Sequence, residues 1–392
     1  MSDNSAIDWC DATWNPVTGC AKVSIGCRHC YAETMAKRLI AMGKPQYVGT
    51  VGDNGHWTGQ INLVEDALHL PLKWRKPRRV FVNSMSDLFH KNVPFDFVDR
   101  VFAVMALCPQ HTFQILTKRP ERMVEYLNWT GQGWARDSAG GTRETPSNCC
   151  GRVVKEIPWL GRSGNYQLGE EDWDVFVRLR DDPSAWPLPN VWLGTSVENQ
   201  EQADKRIPYL RECPAAIRFL SCEPLLGPIY FDEEDVCEQC ERPFGLSGHD
   251  ENGYNQTCVH CGHNVYRTTI PFLKDIHGLI VGGESGHGEH IQPMHPDWPR
   301  SLRDQCAVVG IPFFLKQWGN YKSVLDRDVD DPDWQRVGAI KREYPKGRWV
   351  NLKGGHGFHG GRVHYMVPVG KKAAGRLLDG VEHNALPEVA HA

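Results

Sequence analysis

The sequence predicts an α/β protein built around a parallel sheet or barrel. Short, β-rich apolar runs recur along the 392 residues, and each run ends in polar or glycine residues. Segments with helical periodicity lie between these runs. Strands of a parallel sheet are buried on both faces, so they read as continuous apolar runs. The alternation of strand and helix therefore favours a parallel sheet or barrel.

Six runs have the length and composition of buried strands, and four other segments have helical patterns. The predicted strands are 79–87, 112–119, 190–198, 217–224, 278–285 and 312–319. The predicted helices are 31–42, 95–107, 199–212 and 296–309. Within the second helix, Val98, Val101, Phe102 and Met105 fall on one face, as expected of a helix that packs on a sheet.

Composition narrows the class of protein. A chain of this length with 41% apolar residues can bury a large core. The net charge of −4 gives no overall basic signature of nucleic-acid binding, although a local basic surface remains compatible with it. No apolar run is long enough to span a membrane, and the N-terminus lacks a signal-peptide pattern. The 14 cysteines therefore predict a cytoplasmic protein with metal ligands or free thiols rather than disulfides.

Three cysteines near the N-terminus carry the clearest chemical signal. Cys20, Cys27 and Cys30 have the spacing C-x6-C-x2-C. Three thiolates on one tight loop can hold three irons of a [4Fe–4S] cluster and leave the fourth iron open. A cluster that only carries electrons more usually has four cysteines, and a closed zinc site needs a fourth ligand. The alternatives are a zinc site completed by His29 or Cys10, or three unrelated thiols.

This loop resembles the motif of the radical S-adenosylmethionine (SAM) superfamily. The usual spacing there is C-x3-C-x2-C, so the long first gap is a departure. In that superfamily the open iron binds the amino and carboxylate groups of SAM, and one electron cleaves SAM to a 5′-deoxyadenosyl radical. The long gap, the preceding Thr-Trp-Asn-Pro and the following Tyr-Ala-Glu resemble a phage and prophage family with a three-cysteine motif. The resemblance implies a partial (β/α)6-type parallel barrel over 1–320, with an insert at about 121–190.

Polar residues cluster where the predicted strands end. In a parallel barrel the C-terminal ends of the strands meet at one rim, where the chemistry takes place. We therefore expect a shared site, although polar residues also occur simply where strands reach solvent. The residues at these ends are Ser84, Ser86, Asp87, Thr117, Lys118, Ser196, Glu198, Glu223, Glu284 and Ser285.

The resemblance implies SAM-binding roles for some of these residues, by topology rather than by a literal motif. The loop after the second barrel strand commonly receives the SAM amino group, ribose contacts follow the fourth strand, and the adenine or methionine part packs after a late strand. The residues at these places are, in turn, Ser84, Ser86 and Asp87, then Ser196 and Glu198, then Gly282, Gly283 and Glu284.

Three residues are candidates for catalysis. Lys118, beside Thr117 and Arg119, can bind a carboxylate or phosphate from the end of a central strand. It can equally pair with Glu223 and hold the rim together. Cys222, which precedes Glu223, is a candidate hydrogen-atom donor to a product radical.

Four further cysteines predict a second metal site. Cys237, Cys240, Cys258 and Cys261 form C-x2-C-x17-C-x2-C, the spacing of a closed structural zinc site. We therefore expect a zinc-ribbon module inserted at about 230–277. A second iron–sulfur cluster is the alternative.

Residues 321–392 are predicted to form a basic C-terminal extension. Lysines and arginines between 341 and 376 alternate with Trp349, Phe358 and Tyr365, a pattern suited to contacting phosphates and stacking a base. The alternative is a solvated, β-rich cap on the barrel.

Residues 128–170 have weak periodicity and predict a long loop or lid.

The resemblance to phage proteins implies a nucleic-acid substrate. Some relatives are associated with hypermodified thymidine, which suggests an isomerase that converts an N-linked glycinyl-thymidine in phage DNA to a C-linked form. The expected cofactors are a [4Fe–4S] cluster, SAM and Zn²⁺. The expected partners are DNA and a reductant such as flavodoxin or ferredoxin, in the host cytoplasm if the protein is phage-encoded. The rivals are a radical SAM enzyme acting on tRNA, a peptide or a small metabolite, and a non-enzymatic, metal-bearing nucleic-acid-binding protein.

Overall fold

Seven parallel strands form one curled sheet that makes a half-barrel. The computed structural model describes residues 7–128, 185–231, 273–286, 290–327, 334–356 and 362–388, the short pieces 135–136, 142–143, 174–175, 177–179, 233–237 and 267–271, and the single residues 5, 182 and 288. The strands follow chain order across the sheet, so each strand pairs with the next one along the chain. They are β1 Ala12–Trp14, β2 Arg79–Val82, β3 Thr112–Thr117, β4 Val191–Ser196, β5 Ile217–Cys222, β6 Gly278–Gly282 and β7 Phe313–Gln317.

Most of the helices connect these strands, and four of them cover the outer face of the sheet. Helix α1 Tyr31–Ala41 packs in a small separate cluster. The covering helices are α2 Phe95–Ala106, α3 Pro120–Leu127, α4 Gln200–Glu212 and α5 Asp297–Val309. Helix α6 Trp334–Glu343 follows the last strand and packs through Ile340 against Trp349 and Tyr365, and short helices lie at Glu65–Leu68 and Lys371–Ala374. Local sequence sets their ends: the Asn199 side chain accepts from the Gln202 amide to cap α4, and α5 ends at Gly310 with φ of +73°. No helix among the described residues is long and apolar enough to cross a bilayer.

Side-chain alternation along the strands creates two apolar layers. Residues such as Val82, Ile115 and Val281 pack in the core between the sheet and the helices. The other face fills the inside of the half-barrel with a second cluster: Trp9, Cys10, Phe81, Trp192, Ile217, Phe219, Ile280 and Phe314. This inner cluster fills the lower part of the interior, and a cavity lies above it toward the C-terminal strand ends.

The predicted strands and helices are confirmed, with two additions. All six predicted strands form, but β1 precedes the cysteine loop and was not predicted, so the sheet has seven strands rather than six. Its three residues are too few to give a periodic signal. Helix α3 was also missed, because it lies within the segment expected to be an insert at about 121–190.

The predicted zinc-ribbon module is described only at its base. Strand Glu233–Cys237 pairs antiparallel with Arg267–Pro271, which makes a two-stranded stem on the barrel. Cys240, Cys258 and Cys261 lie outside the described residues, so the zinc site stays a prediction. Most of the predicted lid at 128–170 lies outside them as well.

The residues after β7 form a separate antiparallel sheet and then return to the barrel. The sheet contains β8 Tyr321–Arg327, β9 Arg348–Val350 and β10 Val363–Pro368, with β10 in the middle. Beyond it, the His383 carbonyl accepts from the Leu315 amide of β7 at 3.0 Å. The last described part of the chain therefore lies along the outer edge of the main sheet.

Candidate functional site

A cavity of about 420 Å³ lies at the C-terminal ends of the strands. Cys20, Cys27 and Cys30 line one side of it. The predicted convergence of strand-end residues is therefore present. The lining also includes the following predicted residues: Ser84, Ser86, Asp87, Thr117, Lys118, Ser196, Glu223, Gly283, Glu284 and Ser285.

The cysteine loop is compact and runs directly into a helix. A short 3-10 turn covers Ile25–Cys27, and Cys30 is the N-cap of α1. Cys20, Cys27 and Cys30 are all half-buried and free of disulfides. Burial, reinforced by the nearby Asp87 carboxylate, raises the pKa of the Cys20 thiol to about 12, although Arg119 opposes this shift. The positive end of the α1 dipole favours negative charge on this loop.

A buried ion pair anchors the first part of the loop. Arg119 donates to the Ala21 carbonyl at 2.8 Å, and its Nη1 lies 3.9 Å from Cys20 Sγ. The same guanidinium pairs with Asp87 at 2.7 Å, and Asp87 also accepts from Thr117 Oγ1 at 2.7 Å. Asp87, a predicted SAM-binding residue, thus positions Arg119. No separate role was predicted for Arg119, which follows Lys118 in the sequence.

Glu198 anchors the second part of the loop from beneath. Its carboxylate is fully buried, pairs with Arg206 at 2.9 Å and accepts from the Gly26 amide at 3.3 Å. Burial alone would raise the pKa of Glu198, but Lys118 and Arg206 outweigh it and hold that pKa below its usual range. A Cβ at Gly26 would lie 2.9 Å from the Glu198 carboxyl carbon. Glu198 does not line the cavity, whereas Ser196 does.

The loop after β2 is rigid and faces the cavity. Asn83 adopts φ of +59°, and Asn15 Oδ1 accepts from the Met85 amide at 2.9 Å. Ser84 Oγ donates to the same oxygen, and Ser86 Oγ donates to the Val17 carbonyl at 2.8 Å. Both serines keep their place in the lining while one hydrogen bond fixes each side chain.

Glu223 pairs across the sheet with a lysine that the sequence analysis did not single out. Lys316 Nζ of β7 lies 3.1 Å from Glu223 Oε1, so the expected alternative partner Lys118 is not the one that Glu223 takes. A Cβ at Gly282 of β6 would lie 2.2 Å from that same oxygen. Gly282 therefore leaves room for the ion pair. A Cβ at Gly283 would lie 2.1 Å from the Trp318 carbonyl oxygen.

Two more predicted residues are placed differently from expectation: Cys222 lies outside the cavity, and the Glu284 carboxylate already accepts a hydrogen bond. Cys222 is fully buried in the core between sheet and helices, because alternation along β5 turns Ser221 and Glu223, rather than Cys222, toward the cavity. Burial raises the pKa of Glu284, whose carboxylate accepts from the Gln292 amide at 2.7 Å.

Lys118 is half-buried in the lining, and no described carboxylate lies within ion-pair distance of it.

The spacing of the three cysteines bears on what they can hold. Among the described residues, only His295, Asp297 and His364 bring three ligand atoms within 4.8 Å of one another. The three thiols do not form so close a group. Cys10, a possible fourth ligand, belongs to the inner aromatic cluster, and its Sγ donates to Ser5 Oγ at 3.2 Å.

The His295 group is a hydrogen-bonded joint between α5 and the C-terminal sheet. His295 Nε2 donates to the Arg362 carbonyl at 2.6 Å, and Nδ1 accepts from the Asp297 amide at 3.1 Å. Both ring nitrogens are therefore engaged with the backbone. Asp297 pairs in turn with Arg300 at 2.9 Å.

The aromatic residues of the C-terminal sheet are packed away from solvent. Trp349 and Tyr365 are buried against each other, with ring centroids 4.9 Å apart. Neither ring is exposed for stacking on a base, which corrects that expectation. Phe358 lies outside the described residues.

Comparison with known proteins identifies a family. No curated protein and no solved structure matches the chain. One family model, described as a protein of unknown function (DUF5131), matches residues 4–387. Because this match spans nearly the whole sequence, the chain belongs to the DUF5131 family.

Proposed function

We propose that this protein is a radical SAM enzyme. The observation that carries the proposal is the position of Cys20, Cys27 and Cys30 on one wall of a cavity at the C-terminal rim of a parallel half-barrel. That rim is where enzymes with parallel barrels carry their chemistry. A binding module does not need polar strand-end residues that converge on one cavity there.

The donor set fits a [4Fe–4S] cluster with one open iron. The three sulfurs lie on one loop, and the cavity lining contains no fourth cysteine. In this proposal Cys20, Cys27 and Cys30 would hold the cluster, and the cavity-lining residues Ser84, Ser86, Ser196, Gly283 and Glu284 would contact SAM. When bound, the cluster and SAM would supply a radical that abstracts hydrogen from an unactivated carbon.

The residues of the chain hold the loop, exclude water and orient the reactants. Arg119 and Glu198 fix the two halves of the cysteine loop. Trp9 and Phe81 close the inner end of the cavity. Such rigid positioning matters because the target carbon must be held close to the abstracting group.

For the substrate we propose a hypermodified thymidine in phage DNA, isomerised from an N-linked to a C-linked glycinyl adduct. The support is a strongly basic segment: residues 334–376 contain ten lysines and arginines and a single carboxylate, Glu343. Exposed Lys371 of this segment also lines the cavity. Phosphate contacts there would suit a DNA strand whose target base is flipped into the cavity. We further propose that flavodoxin or ferredoxin supplies the electron and that the four-cysteine module holds a structural zinc. We propose a cytoplasmic location for the protein.

The deciding experiment uses anaerobically reconstituted protein. We expect about four irons and one zinc per chain, by the ligand counts of the two sites, and 5′-deoxyadenosine after addition of dithionite and SAM. A double substitution Cys27→Ala and Cys30→Ala should remove the iron and leave the zinc. Zinc without SAM cleavage would instead favour a metal-bearing binding protein.

The substrate is tested separately, by mass spectrometry of nucleosides from duplex DNA that carries N-linked glycinyl-thymidine. Conversion to the C-linked isomer is the expected result. SAM cleavage without any change in this DNA would redirect the search to tRNA, peptide or small-metabolite substrates.

A further inference from the structure

A polar group lies across the cavity from the cysteine loop, at the ends of β5 and β7. It consists of Ser221, Glu223, Lys316 and Gln317, all of which line the cavity. None of the roles assigned above to the cluster or SAM needs these four side chains together. Glu223 and Lys316 meet only because Gly282 of the intervening strand has no side chain.

Two members of the group are buried polar residues with unused hydrogen-bonding atoms. Ser221 is 1% exposed and Gln317 is 7% exposed. Ser221 Oγ and Gln317 Oε1 both lack a hydrogen-bond partner. Because an unsatisfied buried polar atom destabilises the folded state, a folded protein rarely keeps one in a cavity wall without a ligand or water that uses it.

The ion pair also has capacity left for a ligand. Lys316 Nζ contacts both Glu223 oxygens, at 3.1 and 3.3 Å, and both side chains are less than one-fifth exposed. An ammonium has three donors and a carboxylate about four acceptor positions, so each group can bind a further partner. The subsite thus offers one cationic donor beside several acceptors.

The cavity has an apolar floor. Trp9, Phe81 and Leu116 line the cavity below this polar group. The rings of Trp9 and Phe81 lie 4.6 Å apart and pack against each other. A floor of this kind suits the carbon atoms of a ring whose polar edge reaches the group above.

We propose that Lys316, Glu223 and Ser221 bind the hydrogen-bonding edge of a pyrimidine that has an N–H between two carbonyls. Lys316 donates to one carbonyl oxygen, and the carboxylate of Glu223 accepts from the N–H. The Ser221 hydroxyl donates to the second carbonyl oxygen, and Gln317, whose amide nitrogen is held by Gly283 and Ser285, borders the subsite. This inference deepens the proposed function, on which it rests, because it assigns the part of the protein that recognises the substrate base.

Binding of thymidine to the full-length, reconstituted protein tests the proposal, by ligand-observed NMR titration. N3-methylthymidine, which lacks the N–H, should bind about tenfold more weakly, as loss of one charged hydrogen bond implies. Glu223→Gln and Lys316→Met should each weaken thymidine binding by about tenfold or more, for the same reason. Ser301→Ala on α5, outside the cavity lining, is the matched control and should change nothing.

Equal affinity for the two nucleosides, or no saturable thymidine binding, overturns the proposal. The methylated nucleoside needs no variant, so the test survives if Glu223→Gln or Lys316→Met fails to fold. SAM cleavage is measured on the same samples. If 5′-deoxyadenosine forms without thymidine binding, the proposed base subsite is wrong and the radical SAM proposal stands. If thymidine binds without SAM cleavage, the base subsite stands and the radical SAM proposal is wrong.

Discussion

Asp87 and Arg119 form the residue-level link between the sheet and the cysteine loop. Asp87 follows β2, Arg119 follows β3, and the loop follows β1, so three strand ends meet in one ion pair. Spacing along the chain did not reveal this arrangement, because the pairing joins residues 32 positions apart. The same limitation concealed Lys316, whose partner Glu223 lies 93 residues away.

Replacement of Arg119 should destabilise the fold and the loop together. In Arg119→Ala the Asp87 carboxylate, whose side chain is 7% exposed, stays buried without its partner. We expect a loss of about 3 kcal/mol in the free energy of unfolding, the usual cost of leaving one ion of a buried pair alone. Iron content after reconstitution should also fall, because the Ala21 carbonyl loses its anchor. Urea denaturation and iron analysis measure the two effects.

Arg100→Ala is the matched control for this experiment. Arg100 pairs with Glu65, whose side chain is 57% exposed. Such surface pairs contribute less than about 1 kcal/mol. If both arginine variants lost the same stability and kept the same iron, Arg119 would have no special role.

At the level of elements, the joint between α5 and β10 depends on a neutral histidine. Burial, with a further contribution from His295, lowers the pKa of His364 to about 4. His364 Nδ1 lies 2.8 Å from Ser323 Oγ, and its ring packs edge-on against His295 at 4.7 Å. Asp297, Asp326 and Arg300 are the charged groups that face it.

Acid should therefore loosen this joint. An unfolded histidine has a pKa of about 6.5, so the unfolded chain takes up a proton before the folded one does. The stabilising effect of His364 is full above about pH 6.5 and is lost as the pH falls toward 4. Thermal unfolding followed over this range should show a steeper decline for the natural protein than for His364→Gln. If the thermal stability of both proteins fell equally with pH, His364 would not be the group that loosens the joint.

The elements of the barrel were predictable because each has a strong local signal. Helix α2 was expected at 95–107 and runs from Phe95 to Ala106, since its buried face repeats with helical periodicity. Strand β1 has only three residues, and it becomes a strand through pairing with β2 rather than through its own pattern. The side of β5 to which Cys222 points likewise depends on the register of the finished sheet.

At the scale of the whole molecule, residues after β7 cover part of the half-barrel. Trp318 donates through its indole to the Leu377 carbonyl at 2.8 Å, and Trp298 of α5 donates to the Leu352 carbonyl at 2.8 Å. The main sheet and its outer helices therefore depend on the C-terminal segment for cover.

A chain that ends at residue 320 should aggregate rather than fold. Removal of the later residues uncovers the edge of β7 and the apolar surface under the C-terminal sheet. Size-exclusion chromatography of the truncated and full-length proteins measures the effect. Asp379→Asn, which removes only a surface pair with Arg300 and Arg303, is the control and should remain monodisperse. A soluble, cooperatively unfolding truncated chain would show that the sheet needs no cover.

The pairing of His383 and Asn384 with β7 also has a consequence for synthesis on the ribosome. A nascent chain grows by roughly 5–20 residues per second, so the last sheet edge is complete for several seconds before its covering segment emerges. During that interval the nascent chain exposes a template for pairing with a neighbouring chain on the same message. Slower growth temperature or added chaperones should therefore improve soluble yield, and a bulky fusion is better attached to the N-terminus than to the C-terminus.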